Sequence, residues 1–441
     1  MTPRDILGLT LTGATGRAIE NYEAAVAELQ CYRGDPVARV DAALAEAPGF
    51  AMAHLLRGWL HLLGTEPGGL SVARAAHADA LRHARSERER GHAVAIGHLV
   101  DGRWHDAARV LEDVTIAEPR DALGLLAGHQ LDFLTGHSRM LRDRIARALP
   151  FWDVSMPGFH SILGMHAFGL EETGDFVRAE ASGRQGVELE PRDGWSQHAV
   201  AHVMEMQNRQ AEGIAWMCGN DAWAGDSFFQ VHNWWHLALY HLELGDTDAV
   251  LTLFDDKMAG GRSGVVMDMV DASALLWRLL LRGIDVGERW QHLADAWAPL
   301  ATAGNYAFND AHAVMAFVGA GRRDLGKAVI QTQQEVARQP GDNATFVSDV
   351  GHAVAHAILA FGEGDYARTV ALLRPIRSSA HRFGGSHAQR DVIDLTLIEA
   401  AIRSGDGRMA SALAGERAYR RHESPLSQLF VRRASTLSAA A

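Results

Sequence analysis

Cysteine is scarce in this chain of 441 residues, with only Cys31 and Cys218 present. Two cysteines so far apart cannot form the disulfide framework that stabilises small secreted proteins. A chain of this length buries enough apolar surface to fold without such cross-links. We therefore expect a protein of a reducing compartment, and we predict the cytoplasm.

The chain also lacks the patterns that direct proteins to membranes or to nucleic acids. It has no run of about 18 uncharged apolar residues that would cross a bilayer, and its first residues, MTPRDILGLT, show no apolar signal-peptide core. The formal net charge is −12, with acidic and basic residues interspersed and no dense basic block. Because phosphate backbones and anionic lipids attract basic surfaces, we predict that neither nucleic acid nor a membrane is a partner.

Signatures of the common enzyme classes are missing as well. There is no GxSxG elbow of serine hydrolases, no GxxxxGK[ST] phosphate loop and no CxxC pair of thiol redox proteins. Alternating runs rich in valine, isoleucine and threonine, which would predict strands, are scarce. These motifs therefore assign no enzyme class to the chain.

Helical periodicity and regularly spaced turns dominate instead. Apolar or alanine positions recur every three or four residues in segments such as ATGRAIENYEAAVAELQ and AMAHLLRGWLHLL. Glycine or asparagine recurs at intervals of 30 to 43 residues, where it can take the left-handed conformation that closes a helix. The eleven predicted turn residues are Gly34, Gly64, Gly102, Gly136, Gly174, Asn208, Gly245, Gly283, Gly321, Gly364 and Gly405.

This spacing predicts an all-α, right-handed superhelical solenoid of ten or eleven tetratricopeptide-like helical hairpins over residues 1–441. Pro48, Pro119 and Pro191 follow second helices at intervals of about two repeats, and proline cannot continue a helix. A hairpin cannot bury its apolar stripe alone, so stacked hairpins should form one body with a concave face. The alternative is an ordinary helical domain in which glycine merely marks the helix ends.

Histidines recur at similar depths in the predicted first helices. The chain has 23 histidines, and six of them lie six to nine residues before a predicted turn. The first helices of stacked hairpins line the inner wall of a solenoid. We therefore predict a column of imidazoles that faces the groove, formed by His129, His166, His202, His236, His312 and His356.

The central stretch, residues 195–246, contains the strongest candidate site. His198, His202 and Glu205 share one helical face. His232 and His236 follow one repeat length, 34 residues, after the first histidine pair. Because histidines and a carboxylate suit Zn, Fe(II) or Mn, we predict a metal site or, without metal, a general acid and base near pH 7. The alternative is that both HxxxH pairs reflect packing or a solvated surface, since no HExxH fingerprint is present.

A second cluster and further pocket residues complete the candidate sites. Asp349, His352 and His356 repeat the HAVAH string with spacings of three and seven residues. Residues 384–434 are predicted to form the C-terminal hairpins and cap. The Gly-Gly turn in this segment precedes a helix whose N-terminus would bind an anion; the alternative is that the turn only marks the start of the helix. The predicted ligand-binding residues are Trp195, His166, Asn233, Trp235, Asn309, Asp310, His312, His356 and Arg390.

Five segments are more distinctive than a generic repeat, namely WSQHAVAHVMEM, HNWWHLALYHLELGD, FNDAHAVMAFVGAG, GGSHAQRDVIDLTLIEAAIRSGD and SPLSQLFVRRA. Together they resemble the tetratricopeptide repeat protein 38 family over nearly the whole chain. The resemblance implies a helical-repeat fold and a cytoplasmic protein, and it implies no particular activity. The five central candidates match the family's pattern, whereas the family carries apolar residues at the positions of His352 and His356.

Two functions follow from these features. The preferred one is a tetratricopeptide-repeat protein whose concave, histidine- and tryptophan-lined groove binds a small molecule or a peptide. The alternative is an enzyme with its active site inside the superhelix, using the five central residues with or without a divalent metal, which is the one cofactor that we consider.

Overall fold

The computed structural model describes residues 3–440, so residues 1, 2 and 441 of the predicted solenoid lie outside it. Within the described residues the fold is all-α, as predicted, with two isolated β-bridges in place of any strand. Contacts between Cα atoms group the chain into two compact units. The first unit contains the residues up to Val203, Asn220–Gln230 and Pro340–Asp342, and all other residues belong to the second.

The first unit is built from successive helix pairs, and consecutive helices from the first to the tenth pack against each other. Its helices are α1 (Gly16–Gln30), α2 (Pro36–Glu46), α3 (Ala51–Leu62), α4 (Gly69–His83), α5 (Glu87–Val100), α6 (Trp104–Ala117), α7 (Ala122–Leu134), α8 (Ser138–Ala148), α9 (Phe159–Glu171), α10 (Phe176–Leu189) and most of α11 (Gly194–Met206).

The second unit continues the same construction. Its helices are α12 (Gln210–Gly219), α13 (Gln230–Leu244), α14 (Thr247–Lys257), α15 (Val266–Leu281), α16 (Arg289–Trp297), α17 (Ala307–Gly319), α18 (Arg323–Val336), α19 (Asp342–Phe346), α20 (His352–Gly362), α21 (Tyr366–Leu373), α22 (His387–Arg403), α23 (Gly407–Arg420) and α24 (Pro425–Ala440). A π-helical turn joins α19 to α20.

The predicted turns are confirmed almost without exception. Ten of the eleven predicted turn residues have the positive φ of the left-handed region, including Asn208 at φ +57°. At Gly64 the prediction is off by one residue, because Thr65 takes the left-handed conformation there at φ +54°. Each predicted turn separates two helices, so the count of eleven hairpins agrees with the sequence, while the continuity and handedness of one solenoid stay predictions.

An aspartate directly after several of these glycines starts the second helix of the hairpin. The carboxylate of Asp175 accepts a hydrogen bond from the Arg178 amide, and Asp246 and Asp365 cap their helices in the same way. The glycine ends one helix and the aspartate satisfies an exposed amide of the next. The Gly-Asp pairs in the sequence are therefore the local reason for the hairpins.

One chain of buried polar contacts connects three hairpins of the first unit. The Trp59 indole N–H donates to Nδ1 of His92 at 2.9 Å, and Nε2 of His92 lies 2.8 Å from Oδ2 of Asp121. The Arg88 guanidinium also binds Asp121, at 2.9 and 3.0 Å. Asp121 is fully buried, so protein groups such as these, rather than water, stabilise its charge.

One continuous helix, Asp342–Gly362, is long and apolar enough to span a membrane by length and composition, with a mean hydropathy of 1.3. Of its most apolar window, 61% is buried inside the protein, which is the environment of a core helix. Among the described residues, no other helix passes this test.

Candidate functional site

The first histidine pair lies in an aromatic environment of the first unit. Helix α11 places the rings of His198 and His202 4.4 Å apart, and both side chains are buried. The ring of Trp195 lies 4.9 Å from His198, and Phe168 lies 5.3 Å from His202. The predicted neighbourhood of Trp195 and His198 is therefore observed, in the interior of the unit.

Two adjacent carboxylates that the sequence analysis did not single out face His202. Oε2 of Glu171 lies 3.5 Å from Nδ1 of His202. Ligand atoms of Glu171, Glu172 and His202 all lie within 4.8 Å of one another, and all three residues are buried. Two carboxylates and one imidazole are a donor set for a divalent cation. The pair was overlooked because it stands next to a predicted turn, where exposed acidic residues are common.

The second histidine pair has carboxylate partners of its own in the second unit. Nδ1 of His232 lies 2.8 Å from Oδ2 of Asp271, and Nδ1 of His236 lies 3.2 Å from Oε2 of Glu205. The two imidazole rings are 5.0 Å apart and buried. A carboxylate at Nδ1 fixes the orientation of a ring whose Nε2 faces the other way, which is the usual support of a metal-binding histidine.

Burial keeps several histidines of the predicted column in the neutral form. It lowers the pKa of His236 well below the usual value, and the nearby His232 and Arg278 lower it further. Burial likewise lowers the pKa of His129 to about 3 and that of His166 to about 4. A neutral imidazole is the form that binds a metal. All six column histidines lie on first helices, as predicted, but five of them are buried inside their units.

Trp235 and Asn233, two predicted ligand-binding residues, are fully buried on α13. The Trp235 ring stacks on His232 at 5.3 Å, and the guanidinium carbon of Arg278 lies 5.3 Å from the centre of the same indole ring. A cation over an indole face is a favourable contact. Trp235 therefore links the histidine pair to an arginine.

Asn309, Asp310 and His312 are buried together on α17. Nδ1 of His312 lies 2.8 Å from the Phe308 carbonyl oxygen, and burial lowers the pKa of this imidazole to about 4. Burial raises the pKa of Asp310 to about 7, and a hydrogen bond donated by Gln333 at 3.2 Å opposes the rise. Asp310 is thus a carboxyl group that changes its charge near neutral pH.

The second predicted cluster is only partly assembled. The rings of His352 and His356 are 4.5 Å apart on α20 and half-buried. Asp349 instead accepts a hydrogen bond from Arg382 at 2.8 Å. The π-helical turn Val347–Gly351 contains Asp349, so the spacing of an ordinary α-helix does not place its carboxylate beside the histidines.

The glycine turn before α22 leads into an ordinary helix N-cap. Ser386 and Gln389 form a reciprocal capping box, in which each side chain accepts a hydrogen bond from the other residue's amide. Arg390 donates a hydrogen bond to the Gly385 carbonyl oxygen. Anion binding by Arg390 stays a prediction.

The second unit also contains an arginine-rich cavity of about 460 Å³, which we call the arginine cavity. Six arginines and four carboxylates contribute to its lining, so the wall carries two more positive than negative charges. These residues are Arg278, Arg282, Arg403, Arg417, Arg421, Arg433, Glu205, Glu243, Asp391 and Glu399.

Three of these arginines are directly paired with carboxylates. Arg403 and Arg433 share Glu399 at distances of 2.7 to 3.0 Å. Arg417 binds both oxygens of Asp391, at 2.6 and 3.0 Å. Such bidentate pairs are strong and geometrically fixed. They form the rigid part of the cavity wall.

Among residues 3–440, the other three arginines have no carboxylate oxygen within hydrogen-bond distance. Arg278, which is 5% exposed, donates only to two backbone carbonyl oxygens. Arg282 and Arg421 approach Glu243 and Glu205 no closer than 3.9 Å. Burial lowers the pKa of Arg278 to about 10 and also lowers that of Arg282. The cavity therefore holds positive charge that the protein itself compensates incompletely.

The sequence analysis did not identify the arginine cavity. Its charged residues come from α11, α13, α15, α22, α23 and α24 and from the segments after α15 and α23. No local spacing predicts which arginines of separate helices meet. An arginine surplus among the C-terminal helices was the only available signal.

Comparison with known proteins does not assign the chain to a family. No family model matches the chain. Among solved structures, the chain is similar to yeast Tom70 in its crystal structure, with 13% identical residues over 96% of this chain and 89% of that chain, at a TM-score of 0.34. At this TM-score the similarity does not establish a shared fold. The fold class therefore rests on the observed hairpins, and membership of the tetratricopeptide repeat protein 38 family stays a prediction, as do the cytoplasmic location and the absence of nucleic-acid and membrane partners.

Proposed function

We propose that this helical-repeat protein binds a small molecule, and that the ligand is an anion held in the arginine cavity. The observation that carries the proposal is the presence of three buried or half-buried arginines, Arg278, Arg282 and Arg421, without a direct carboxylate partner. Burying a charge is costly unless an opposite charge lies close to it. A ligand with two negative charges would neutralise the surplus of the wall.

The cavity also borders the predicted histidine- and tryptophan-rich stretch. Glu205 belongs both to the cavity wall and to the His236 pair, and Arg278 belongs both to the wall and to the Trp235 contact. A volume of about 460 Å³ suits a metabolite-sized molecule. Carboxylates and phosphates share the required chemistry, because both accept bidentate hydrogen bonds from guanidinium groups.

We expect succinate or inorganic phosphate to raise the melting temperature of the purified protein more than chloride does at equal ionic strength. A ligand present at 100 times its dissociation constant adds about 2.7 kcal/mol to the free energy of unfolding. The double variant Arg282→Gln, Arg421→Gln should lose this response. Comparison of the two probes distinguishes a carboxylate site from a phosphate site.

The matched control is Arg432→Gln, at an exposed arginine of α24 outside the cavity wall. It should respond to the anions as the unmodified protein does. An equal response in the double variant, or no anion-specific response in the unmodified protein, would overturn the proposal. A response only to a peptide with a free carboxyl terminus would favour the peptide ligand instead.

The second candidate function is a metal-dependent enzyme. It is favoured by the carboxylate at Nδ1 of His232 and His236, and by the grouping of Glu171, Glu172 and His202. Neutral imidazoles and carboxylates are the donors that Zn, Fe(II) and Mn accept. A bound metal would supply an activated water or polarise a substrate oxygen.

Under this second function, protein loaded with Zn²⁺ or Mn²⁺ and then desalted should retain close to one equivalent of metal per chain. The double variant His202→Ala, His236→Ala should retain far less by elemental analysis. His241→Ala serves as the control, because His241 is paired only with Asp246 near the surface. Unmodified protein that keeps no metal after loading would exclude this function.

A further inference from the structure

The first unit brings together a thiol, an imidazole and a carboxylate at a place that no sequence motif marks. Sγ of Cys31, the residue after α1, lies 3.9 Å from Nε2 of His160 near the start of α9. Nδ1 of the same ring lies 2.8 Å from Oδ2 of Asp193. The three groups are in the order of a nucleophile, a base and the group that orients the base.

The carboxylate at the end of this series is held in a fixed position. Asp193 is fully buried and caps α11, where Oδ1 accepts hydrogen bonds from the amides of Trp195 and Ser196 at 3.0 Å. Its Oδ2 accepts a further hydrogen bond from the Ser196 hydroxyl at 2.7 Å. An anchored carboxylate fixes the orientation of the imidazole that it binds.

The electrostatic environment keeps a proton on His160. Burial by itself lowers the pKa of this imidazole, but the hydrogen bonds to Asp193 and to the Cys31 sulfur outweigh burial and raise the pKa to about 10. At neutral pH the His160 ring, which lies between the Cys31 sulfur and the Asp193 carboxylate, is therefore protonated. The protonated imidazole can give a proton to a leaving group.

A cavity gives a substrate access to the sulfur. Cys31, His160 and Gln30 all contribute to the lining of a cavity of about 460 Å³. Gln30 is 6% exposed, and its side-chain Nε2 has no hydrogen-bond partner in the described part of the chain. A buried N–H donor that lacks an acceptor is costly, and it is available to a substrate oxygen in the same cavity.

Gly158 makes room for that amide. A Cβ atom at this position would lie 2.4 Å from Nε2 of Gln30, and the backbone has φ +81°. Only glycine takes this conformation without strain and leaves the space open. The Gln30 amide is therefore accommodated on the cavity wall next to the residue that carries the thiol.

We propose that Cys31, His160 and Asp193 form a nucleophilic centre for acyl transfer, with the Gln30 amide stabilising the oxyanion. The attacking species is the thiolate of Cys31 beside the protonated His160, and its sulfur forms a C–S bond with the carbonyl carbon of an ester or thioester. The bond to the leaving group breaks, and the leaving group takes the proton from Nε2 of His160. Water then attacks the acyl-enzyme, gives a proton to His160 and releases the acid, and the C–S bond breaks.

The test uses p-nitrophenyl acetate as the acyl donor in the full-length protein. We expect the acetyl group to appear on Cys31, located by peptide mass spectrometry, faster than on the exposed Cys218. His160→Gln and Asp193→Asn should each slow acetylation of Cys31 by roughly 100-fold or more, the contribution typical of acid–base assistance. Cys31→Ser should leave only the reaction at Cys218.

Asp193→Asn is chosen because asparagine also caps helices, so the start of α11 should be preserved. An unchanged melting temperature of Asp193→Asn would verify that the fold is preserved. Alkylation of Cys31 by iodoacetamide in a Cys218→Ser background gives a second measurement that needs no substrate. We expect iodoacetamide to alkylate Cys31 much more slowly at pH 6 when His160 is replaced by glutamine. Equal acetylation and alkylation rates in all variants, or acetylation of Cys218 alone, would overturn the proposal.

Discussion

Replacing Asp121 with alanine is expected to lower the free energy of unfolding by about 3–5 kcal/mol, the usual cost of breaking a buried ion pair. Asp121 is fully buried and binds Arg88 and His92, and its carboxylate also caps α7 through the Gly124 amide. Without it, the Arg88 charge remains buried with only Asp5 nearby, at 3.7 Å. Urea unfolding followed by circular dichroism measures the change.

An exposed ion pair of the same unit provides the control for this variant. Arg139 is paired with Asp143 at 3.0 Å, but 84% of its side chain is exposed. Arg139→Ala should therefore change the free energy of unfolding by less than about 1 kcal/mol. If Asp121→Ala destabilises the protein no more than Arg139→Ala does, the buried network contributes nothing beyond a surface contact.

Replacing Asp310 with asparagine is expected to stabilise the protein at pH 8 and to have little effect at pH 4. Burial raises the pKa of Asp310 from 3.8 to about 7 in the folded protein. Between these values the folded state holds a proton that the unfolded chain has released, so stability falls as the pH rises through this window. A difference of about three units corresponds to about 4 kcal/mol above pH 7.

The local hydrogen bonds favour the same result. Gln333 donates to Asp310, but its own side-chain oxygen is buried and accepts no hydrogen bond. An asparagine at position 310 offers a donor to that oxygen and keeps the acceptor for the Gln333 amide. Asp295→Asn, at a side chain that is 74% exposed, is the control and should show no pH-dependent difference. Equal stability of Asp310→Asn and the unmodified protein at both pH values would contradict this prediction.

The hairpins were predictable because their boundaries are set by local chemistry. A glycine with positive φ and a following aspartate specify the end of one helix and the start of the next within a few residues, as at Gly174 and Asp175. The sequence analysis missed only the shift from Gly64 to Thr65. Turn residues can therefore be identified without knowledge of the rest of the fold.

The candidate sites were less predictable because their partners come from distant segments. Helical spacing placed His232 and His236 on one face, but nothing local indicated that Asp271 would bind the first of them from another helix. Cys31 and His160 are 129 residues apart in sequence. Spacing identifies residues on the same side of one helix, whereas the packing of the whole unit decides which sides meet.

The polar chain from Trp59 through His92 to Asp121 also bears on how freely the hairpins can be rearranged. Apolar contacts between idealised repeats are interchangeable, so such repeats can be deleted or duplicated with modest effect. Hydrogen bonds require one donor and one acceptor at fixed positions, and those of His92 come from the hairpins on either side of its own. Excision of the hairpin α5–α6 would bring the flanking hairpins together with an indole N–H and a carboxylate that have lost their shared partner. The buried hydrogen bonds thus fix the order of these hairpins, and a protein with the hairpins in another order would not be equivalent.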